Sequence, residues 1–257
     1  MSTVLYDSVI FGPVKSRRLG VSLGVNLLPV NVKLCSFDCI YCECGLAQKG
    51  VTGKQPTRDE VRGALEDRLM RMHQNGDPLD VITFAGNGEP TLHHEFKQII
   101  EDTIRLRNEY FPNVKISVLS NATMLHRQDV VEALKMVDNN ILKLDSGIEE
   151  TAHLIDSPHQ PHYSVASTVE GMKQFHGDFI MQTMFLRGTV GDRVVDNTTD
   201  EEVSAWIEVV KQAAPKKVMI YSIDRETPIQ TLEKVAKEEM QLIADRLRSL
   251  GFSVDVA

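Results

Sequence analysis

Cys35-Ser36-Phe37-Asp38-Cys39-Ile40-Tyr41-Cys42-Glu43-Cys44 contains all four cysteines of a 257-residue chain. Crowding of this kind brings sulfurs to one centre, and the spacing of three, two and one intervening residues restricts what that centre is. A cuboidal 4Fe-4S cluster presents four iron corners, of which one short loop can reach three with thiolates and must leave the last to another ligand. Cys35, Cys39 and Cys42 make that three-cornered set. Structural zinc competes with this reading, but it usually takes two ligand pairs separated by a long stretch, and the sequence has no second pair. A disulfide framework belongs to small secreted scaffolds, whereas this chain is long and opens without a secretory signal pattern.

Composition agrees with one soluble enzyme domain. Apolar residues make up 42% and charged residues 25%, with no apolar run approaching a membrane span. Free thiols point to a reducing compartment, so a cytoplasmic location is expected. The net charge of -8 disfavours indiscriminate nucleic-acid binding, which depends on Lys and Arg. Locally the sign reverses. Residues 1–58 hold seven basic side chains (15, 17, 18, 33, 49, 54 and 58) against Asp7, Asp38 and Glu43, which reads as a basic patch or as an ordinary solvated face.

Outward from the cysteines, hydrophobic periodicity gives an alternation of strands and helices. The first 20 residues are rich in Gly and Pro and form an arm without helical pattern, and Val21–Leu28 is a strand leading into the cysteine loop. Thr57-Arg-Asp-Glu60 is a capping box opening a helix with Val61, Leu65, Leu69 and Met72 on one face. Further strands are expected at Asp80–Phe84, Lys115–Ser120, Ile141–Asp145, Asp178–Phe185 and Lys217–Tyr221. Helices are expected near 94–110, 128–137, 165–176 and 199–213, the last behind a second box at Thr199 to Glu202. A helix over about 230–249 and a short strand at Phe252–Val256 close the chain. Six βα units in series require a parallel sheet, and six are too few for a complete barrel of eight. The expected domain is therefore a single α/β unit over 1–257, with an arm (1–20), a core (21–228) and a C-terminal helix and strand (229–257).

Right-handed crossovers put the carboxyl ends of all these strands on one rim, where such folds carry their sites. The cysteine loop falls there. So does Gly86-Asn87-Gly88-Glu89, whose glycines permit close backbone approach to a ligand. Asn121 ends the third strand, Gln182 lies within the fifth, and Tyr221 and Ser222 end the sixth. Period-two alternation points Lys143 and Asp145 to the same side, inward, where charges must be paired or liganded. Ligand contact and a buried structural ion pair are both consistent with that placement. Asn121 either binds ligand or caps a turn. Cys44 is either a hydrogen-atom donor or redox partner, or a small packing residue. His153, His159 and His162 fall around a Pro-containing loop, and His93 and His94 begin a helix.

C-x3-C-x2-C with an aromatic, Tyr41, before the last cysteine resembles the radical S-adenosylmethionine superfamily. The resemblance implies a partial (β/α)6 TIM-type barrel with parallel strands and outer helices. It further implies one 4Fe-4S cluster on Cys35, Cys39 and Cys42, whose open iron is chelated by S-adenosyl-L-methionine. Reductive cleavage of that cofactor would give a 5'-deoxyadenosyl radical that abstracts hydrogen from a substrate. Tyr41 would lie beside the adenine, and Gly86 to Glu89 resemble the motif that binds the methionine moiety, with Asn87 departing from its Gly-Gly-Glu form. Asn121, Lys143 and Asp145 complete the expected cofactor contacts. The run Phe11–Gly20, the cysteine loop, Gly86–His93 and Leu144–Gly147 look most like the branch grouped with 4-demethylwyosine synthase, which modifies a guanosine in transfer RNA. That branch carries a second cluster on additional N-terminal cysteines, and residues 1–34 contain none. Transfer RNA is thus one expected substrate, with a protein, a small metabolite, or a non-catalytic metal-binding role as alternatives. A flavodoxin or ferredoxin electron donor is what the superfamily implies.

Overall fold

The computed structural model describes residues 4–16, 20–47, 51 and 53–257. Arg17, Arg18 and Lys49 of the basic N-terminal region lie outside them. In chain order the elements are β1 (Ile10–Ser16), β2 (Gly20–Val25), α1 (Arg58–Asn75), β3 (Val81–Phe84), α2 (Phe96–Tyr110), β4 (Lys115–Ser120), α3 (Gln128–Met136) and β5 (Asn139–Lys143). They continue with α4 (Glu149–Asp156), α5 (Val165–Lys173), β6 (Ile180–Val190), β7 (Arg193–Asp196), α6 (Asp200–Ala213), β8 (Lys217–Ser222), β9 (Leu232–Lys234), α7 (Lys237–Arg248) and β10 (Val254–Val256).

β2, β3, β4, β5, β6, β8 and β10 run parallel in that order, each reached by a helical crossover. The sheet does not close, because its order ends at β1 on one side and β10 on the other. This is the open, partial barrel that the alternation of elements requires, with the terminal strand as a seventh parallel member.

Local chemistry explains the element ends. Thr57 and Glu60 form the reciprocal capping box of α1, and Val61, Leu65, Leu69 and Met72 are all buried as the period demands. The second box is half formed. Thr199 accepts from the Glu202 N–H, but the Glu202 carboxylate bonds Ser146 and Thr151 instead of turning back to its own cap. β2 stops at Val25, short of the expected Leu28, because the Asn26 amide both accepts from Leu28 N–H and donates to Leu28 C=O, folding the chain into a turn.

Three strands and one helix depart from the sequence expectation. The Gly-Pro arm contains β1, antiparallel to β2 at the sheet edge with a register shift between Phe11 and Val14, a position where proline is tolerated. β6 extends beyond the rim and pairs there with β7 and β9. Leu232, expected to open the last helix, instead pairs with Gly188 in β9. His153 falls on α4, and His93 follows a single 3-10 turn at Pro90–Leu92, before α2 begins at Phe96.

The helices cover the outer face of the sheet. One continuous cluster of buried side chains runs from Ile10 to Val254, joining arm, core and C-terminal helix. Phe84 meets Phe96 edge-to-face across the β3–α2 interface, and Phe185 meets Trp206 across β6–α6. Such pairs add about 0.5–1.5 kcal/mol to the area they bury.

Candidate active site

The cysteine loop crosses the rim and is tied down from three sides. From β3, Leu34 N–H donates to Asn87 C=O and Glu89 N–H donates to Leu34 C=O, a parallel bridge between Leu34 and Gly88. A Cβ at Gly88 would stand 1.9 Å from the Leu34 carbonyl oxygen, so only glycine permits this approach. From α4 and the loop after it, Ile40 N–H donates to Ile155 C=O, Phe37 bridges Pro158, and His159 N–H donates to Ser36 C=O. His159 Nε2 also bonds Asp38, 2.9 Å away. The histidine-bearing loop thus buttresses the cysteine loop. From β4, Asn121 Nδ2 donates to Ser36 Oγ at 2.9 Å and reaches Cys35 Sγ at 3.6 Å.

Each of the three sulfurs meets a distinct environment. Burial pushes the Cys35 thiol up to about 12, aided by the Glu89 carboxylate and opposed by Lys33 and the Phe37 N–H. Burial also holds the Cys39 thiol well above its ordinary value, against the pull of Lys143. Cys42 is opposite. The adjoining Cys44 thiol outweighs burial there, and Lys33 and the Cys44 N–H add to it, bringing the Cys42 thiol down to about 6. The Cys44 thiol is correspondingly raised, and it also donates to Gly86 C=O at 3.3 Å. Cys44 thus links the cysteine loop to the glycine loop through Gly86.

Two lysines flank the loop, Lys33 buried and Lys143 nearly so. Lys33 bonds Asp38 at 3.0 Å and Gly45 C=O at 2.8 Å. Burial works against its charge, yet the Cys42 and Cys35 sulfurs and Asp38 raise its pKa. Lys143 Nζ lies 2.9 Å from Asp145 and also bonds Asp156, with the Phe37 and Tyr41 rings 5.0 and 5.7 Å away. Its two carboxylates hold the ammonium firmly charged against burial. Asp156, raised to about 6 by burial, neighbours Cys39 through its own hydrogen bond. Lys143 and Asp145 therefore face inward together as a buried ion pair. Sequence patterning missed Asp156, which closes the triad, because its partner lies on the neighbouring strand and only the α4 fold brings them together.

The remaining expected contacts are equally well placed on the rim, though several are already engaged. Tyr41 Oη donates to Asp145 Oδ2 at 2.6 Å, and Asp145 Oδ1 accepts from Met184 N–H. Asn87 is wholly buried, with its amide on both backbone atoms of Tyr6 and on Pro29 C=O, so its side chain anchors the N-terminal arm. Glu89 accepts from Thr91 N–H, Thr91 Oγ1, Ser120 Oγ and Asn121 N–H, joining the ends of β3 and β4. Asn121 Oδ1 accepts from Thr123 N–H, so this residue caps its turn while its Nδ2 supports the cysteine loop. Gly86 lies at φ +147 against Asn26, where a Cβ would come within 2.4 Å of the amide oxygen. Gly86 and Gly88 offer close backbone approach on this side of the loop.

The donor set fits a sulfur-ligated cluster. Three thiols of one loop interact electrostatically with one another, and each has a hydrogen-bond donor or ammonium beside it to offset thiolate charge. A coordinated thiol is deprotonated outright, so cluster binding would release the protons that burial holds on Cys35 and Cys39. Among the described residues, no three Cys, His, Asp or Glu side chains converge as around a single ion.

A rim-borne cysteine loop on an open parallel barrel defines a class of cofactor-dependent (β/α)-barrel enzyme. The family described as the Radical SAM superfamily matches residues 32–189, and the chain belongs to it. Membership supports radical chemistry dependent on S-adenosylmethionine and an iron-sulfur cluster. The chain is 30% identical over 237 residues to a protein of Brachyspira hyodysenteriae named GTPase Obg, covering 90% of this chain and 32% of that one. It is 31% identical over 216 residues to a UPF0026 protein of Methanocaldococcus jannaschii, covering 82% and 62% respectively. The chain thus spans less than two thirds of either relative. A radical SAM methyltransferase from Sphaerobacter thermophilus has a similar fold, with TM-score 0.67 and 16% identity over 92% of this chain and 65% of that one. Among the described residues no helix is long and apolar enough to cross a membrane.

Proposed function

We propose that the protein is a single-cluster radical enzyme, with Cys35, Cys39 and Cys42 holding one 4Fe-4S cluster and the rim loops holding S-adenosylmethionine. When bound, the cluster supplies an electron and the sulfonium cofactor supplies the radical that removes hydrogen from a substrate. The chain's own residues provide the setting. Lys33 and Lys143 offset thiolate charge at Cys42 and Cys39. Gly86 and Gly88 let the β3 loop approach, and the Tyr41–Asp145–Lys143 network fixes the aromatic that would face the adenine. An electron carrier of the flavodoxin or ferredoxin type is the proposed partner, and the proposed location is the cytoplasm.

The observation that carries this reading is the Leu34–Gly88 bridge, which holds the cysteine loop against the glycine loop at the strand ends. Anaerobic reconstitution with iron and sulfide, followed by reduction in the presence of S-adenosylmethionine, tests it. Four irons per chain and release of 5'-deoxyadenosine are expected on this reading. One equivalent of zinc with no iron uptake would overturn it.

A further inference from the structure

The interior of the open barrel contains a cavity of about 260 Å³, reaching from Glu43 of the cysteine loop to the inward face of β6. Its one β6 residue is Gln182, whose side chain is 7% exposed and has no hydrogen-bond partner among the described residues. Neighbouring inward polar groups are satisfied. Ser22 bonds Thr83 at 2.8 Å, and Asn139 donates to Ser117 at 2.9 Å. The Gln182 amide opens onto the cavity with no protein partner among the described residues, so a ligand seated there can complete its hydrogen bonds, each worth about 0.5–1.5 kcal/mol.

The cavity's other walls restrict what that is. Ile141, Leu119 and Met219 are apolar, and Phe11, stacked on Tyr6 with ring centroids 3.6 Å apart, lies against Gly24. The single charged residue among those described in the lining is Glu43, paired with Arg225 at 2.6 Å. With no cation among the described lining residues to receive a phosphate or carboxylate, and with largely apolar walls closed on one side by the Phe11 ring, the space suits an uncharged planar group. A primary amide presents one donor and one acceptor in a plane. Its complement is an edge carrying the same pair reversed, as in a lactam or amidine.

The position separates this group from the expected cofactor site. Met184, the next inward position toward the rim, has its N–H on Asp145, which also accepts from Tyr41. Gln182 is two residues, roughly 6–7 Å, further from the rim along β6. We propose that Gln182 is a specificity-determining residue that reads the lactam or amidine edge of an uncharged planar heterocycle, of nucleobase type, on the substrate. The proposal rests on the enzyme reading above, whose substrate it specifies.

Calorimetric titration of the reconstituted, S-adenosylmethionine-bound protein with inosine, guanosine, uridine and adenosine tests it, with 1-methylinosine as the edge-blocked control. At least one nucleoside should bind saturably and 1-methylinosine should not. Gln182→Met should weaken that binding at least about tenfold while S-adenosylmethionine affinity stays within about twofold. Because Gln182 has no internal partner, the Met variant should melt no lower than the parent. Overturning results are absence of saturable nucleoside binding, binding indifferent to Gln182→Met, binding of 1-methylinosine equal to inosine, or an equal loss of S-adenosylmethionine affinity. The last would assign the amide to the cofactor's adenine. If no 5'-deoxyadenosine forms, the enzyme reading fails, and the same titration without S-adenosylmethionine still decides the cavity.

Discussion

The two faces of the barrel sheet follow opposite rules. Outward, Leu23, Val25, Ile82, Phe84, Ile116 and Val118 are buried against helices and carry no polar atoms beyond the backbone. Inward, β2 to β6 present Ser22, Thr83, Ser117, Asn139, Lys143 and Gln182 among a smaller apolar set of Leu119, Ile141 and Ile180, and the charged Lys143 lies toward the rim. Alternation along each strand keeps the faces apart, so packing on one side is chemically independent of binding on the other. Stability should therefore reside mainly outside, and ligand chemistry inside. The pattern is broken outside by Thr183, which accepts from Trp206 Nε1, and by the unpaired Asn140, and inside by the Lys143–Asp145–Asp156 triad, which bears on both properties.

The cysteine loop gives the largest expected effect. Cys39→Ala should abolish cluster retention, measured as iron per chain after anaerobic reconstitution, with secondary structure by circular dichroism unchanged. Cys44→Ala should retain the cluster, because that thiol donates to Gly86 C=O and stands outside the three-cornered set. Equal loss of iron in both variants would remove the distinction between ligand and neighbour.

Next come two substitutions of similar cost and different reach. Phe84→Ala removes a fully buried ring from the outer face and should cost about 3–5 kcal/mol in urea unfolding of the apoprotein. Its folded fraction should still take up a full complement of iron. Lys143→Met leaves Asp145 and Asp156 buried without their cation and should also cost about 3–5 kcal/mol. Here the reconstituted cluster's midpoint potential should shift as well, since a fixed positive charge beside Cys39 has gone. If Phe84→Ala shifts the potential equally, the two faces are not independent.

The same contrast explains what sequence patterning could reach. Outer-face periodicity delivered β3, β4 and β8 to within a residue and placed β5 and β6 with ends two to five residues off, because apolar alternation and buried helix stripes are local signals. The cysteine spacing delivered the superfamily. β1, β7 and β9 escaped because edge and rim strands have no buried outer face to impose a pattern, and Gly12-Pro13 looks like a turn. α4 escaped because no side chain caps it and Ser157-Pro158 follows at once. The Lys143–Asp156 pair, and the bonds from Ser120 and Asn121 to Glu89, depend on how successive elements fold back on one another, which no spacing rule encodes.

Asn140 tests the outer face by repair. It stands opposite Val118 in the β4–β5 register, and neither its Oδ1 nor its Nδ2 has a partner among the described residues. Asn140→Leu replaces an unpaired buried amide by a side chain of similar size and should raise apoprotein stability by about 1 kcal/mol. Iron uptake and nucleoside titration should not change. A destabilised variant would mean that the amide has a function on a face that otherwise carries none.

The smallest expected effect comes from His93, which joins the two loops leading into α1 and α2. Its Nε2 lies 2.8 Å from Pro56 C=O, which can only accept, and its Nδ1 lies 3.1 Å from Glu95 N–H, which can only donate. The ring is therefore neutral, with the proton on Nε2. Protonation would aim an N–H at another N–H in a buried site, and burial accordingly holds the pKa below its ordinary 6.5. With the folded pKa beneath the unfolded one, the unfolded chain binds more protons between the two values. The stabilisation is then complete above about pH 6.5 and is lost as pH falls toward the folded pKa. His93→Gln has no titrating ring, so the stability difference between parent and variant should shrink as pH is lowered from 7.5 to 5.5. Other histidines cancel in that difference. Parallel stability curves would show that His93 titrates alike in both states, and that this hinge between the outer helices carries no proton-linked contribution.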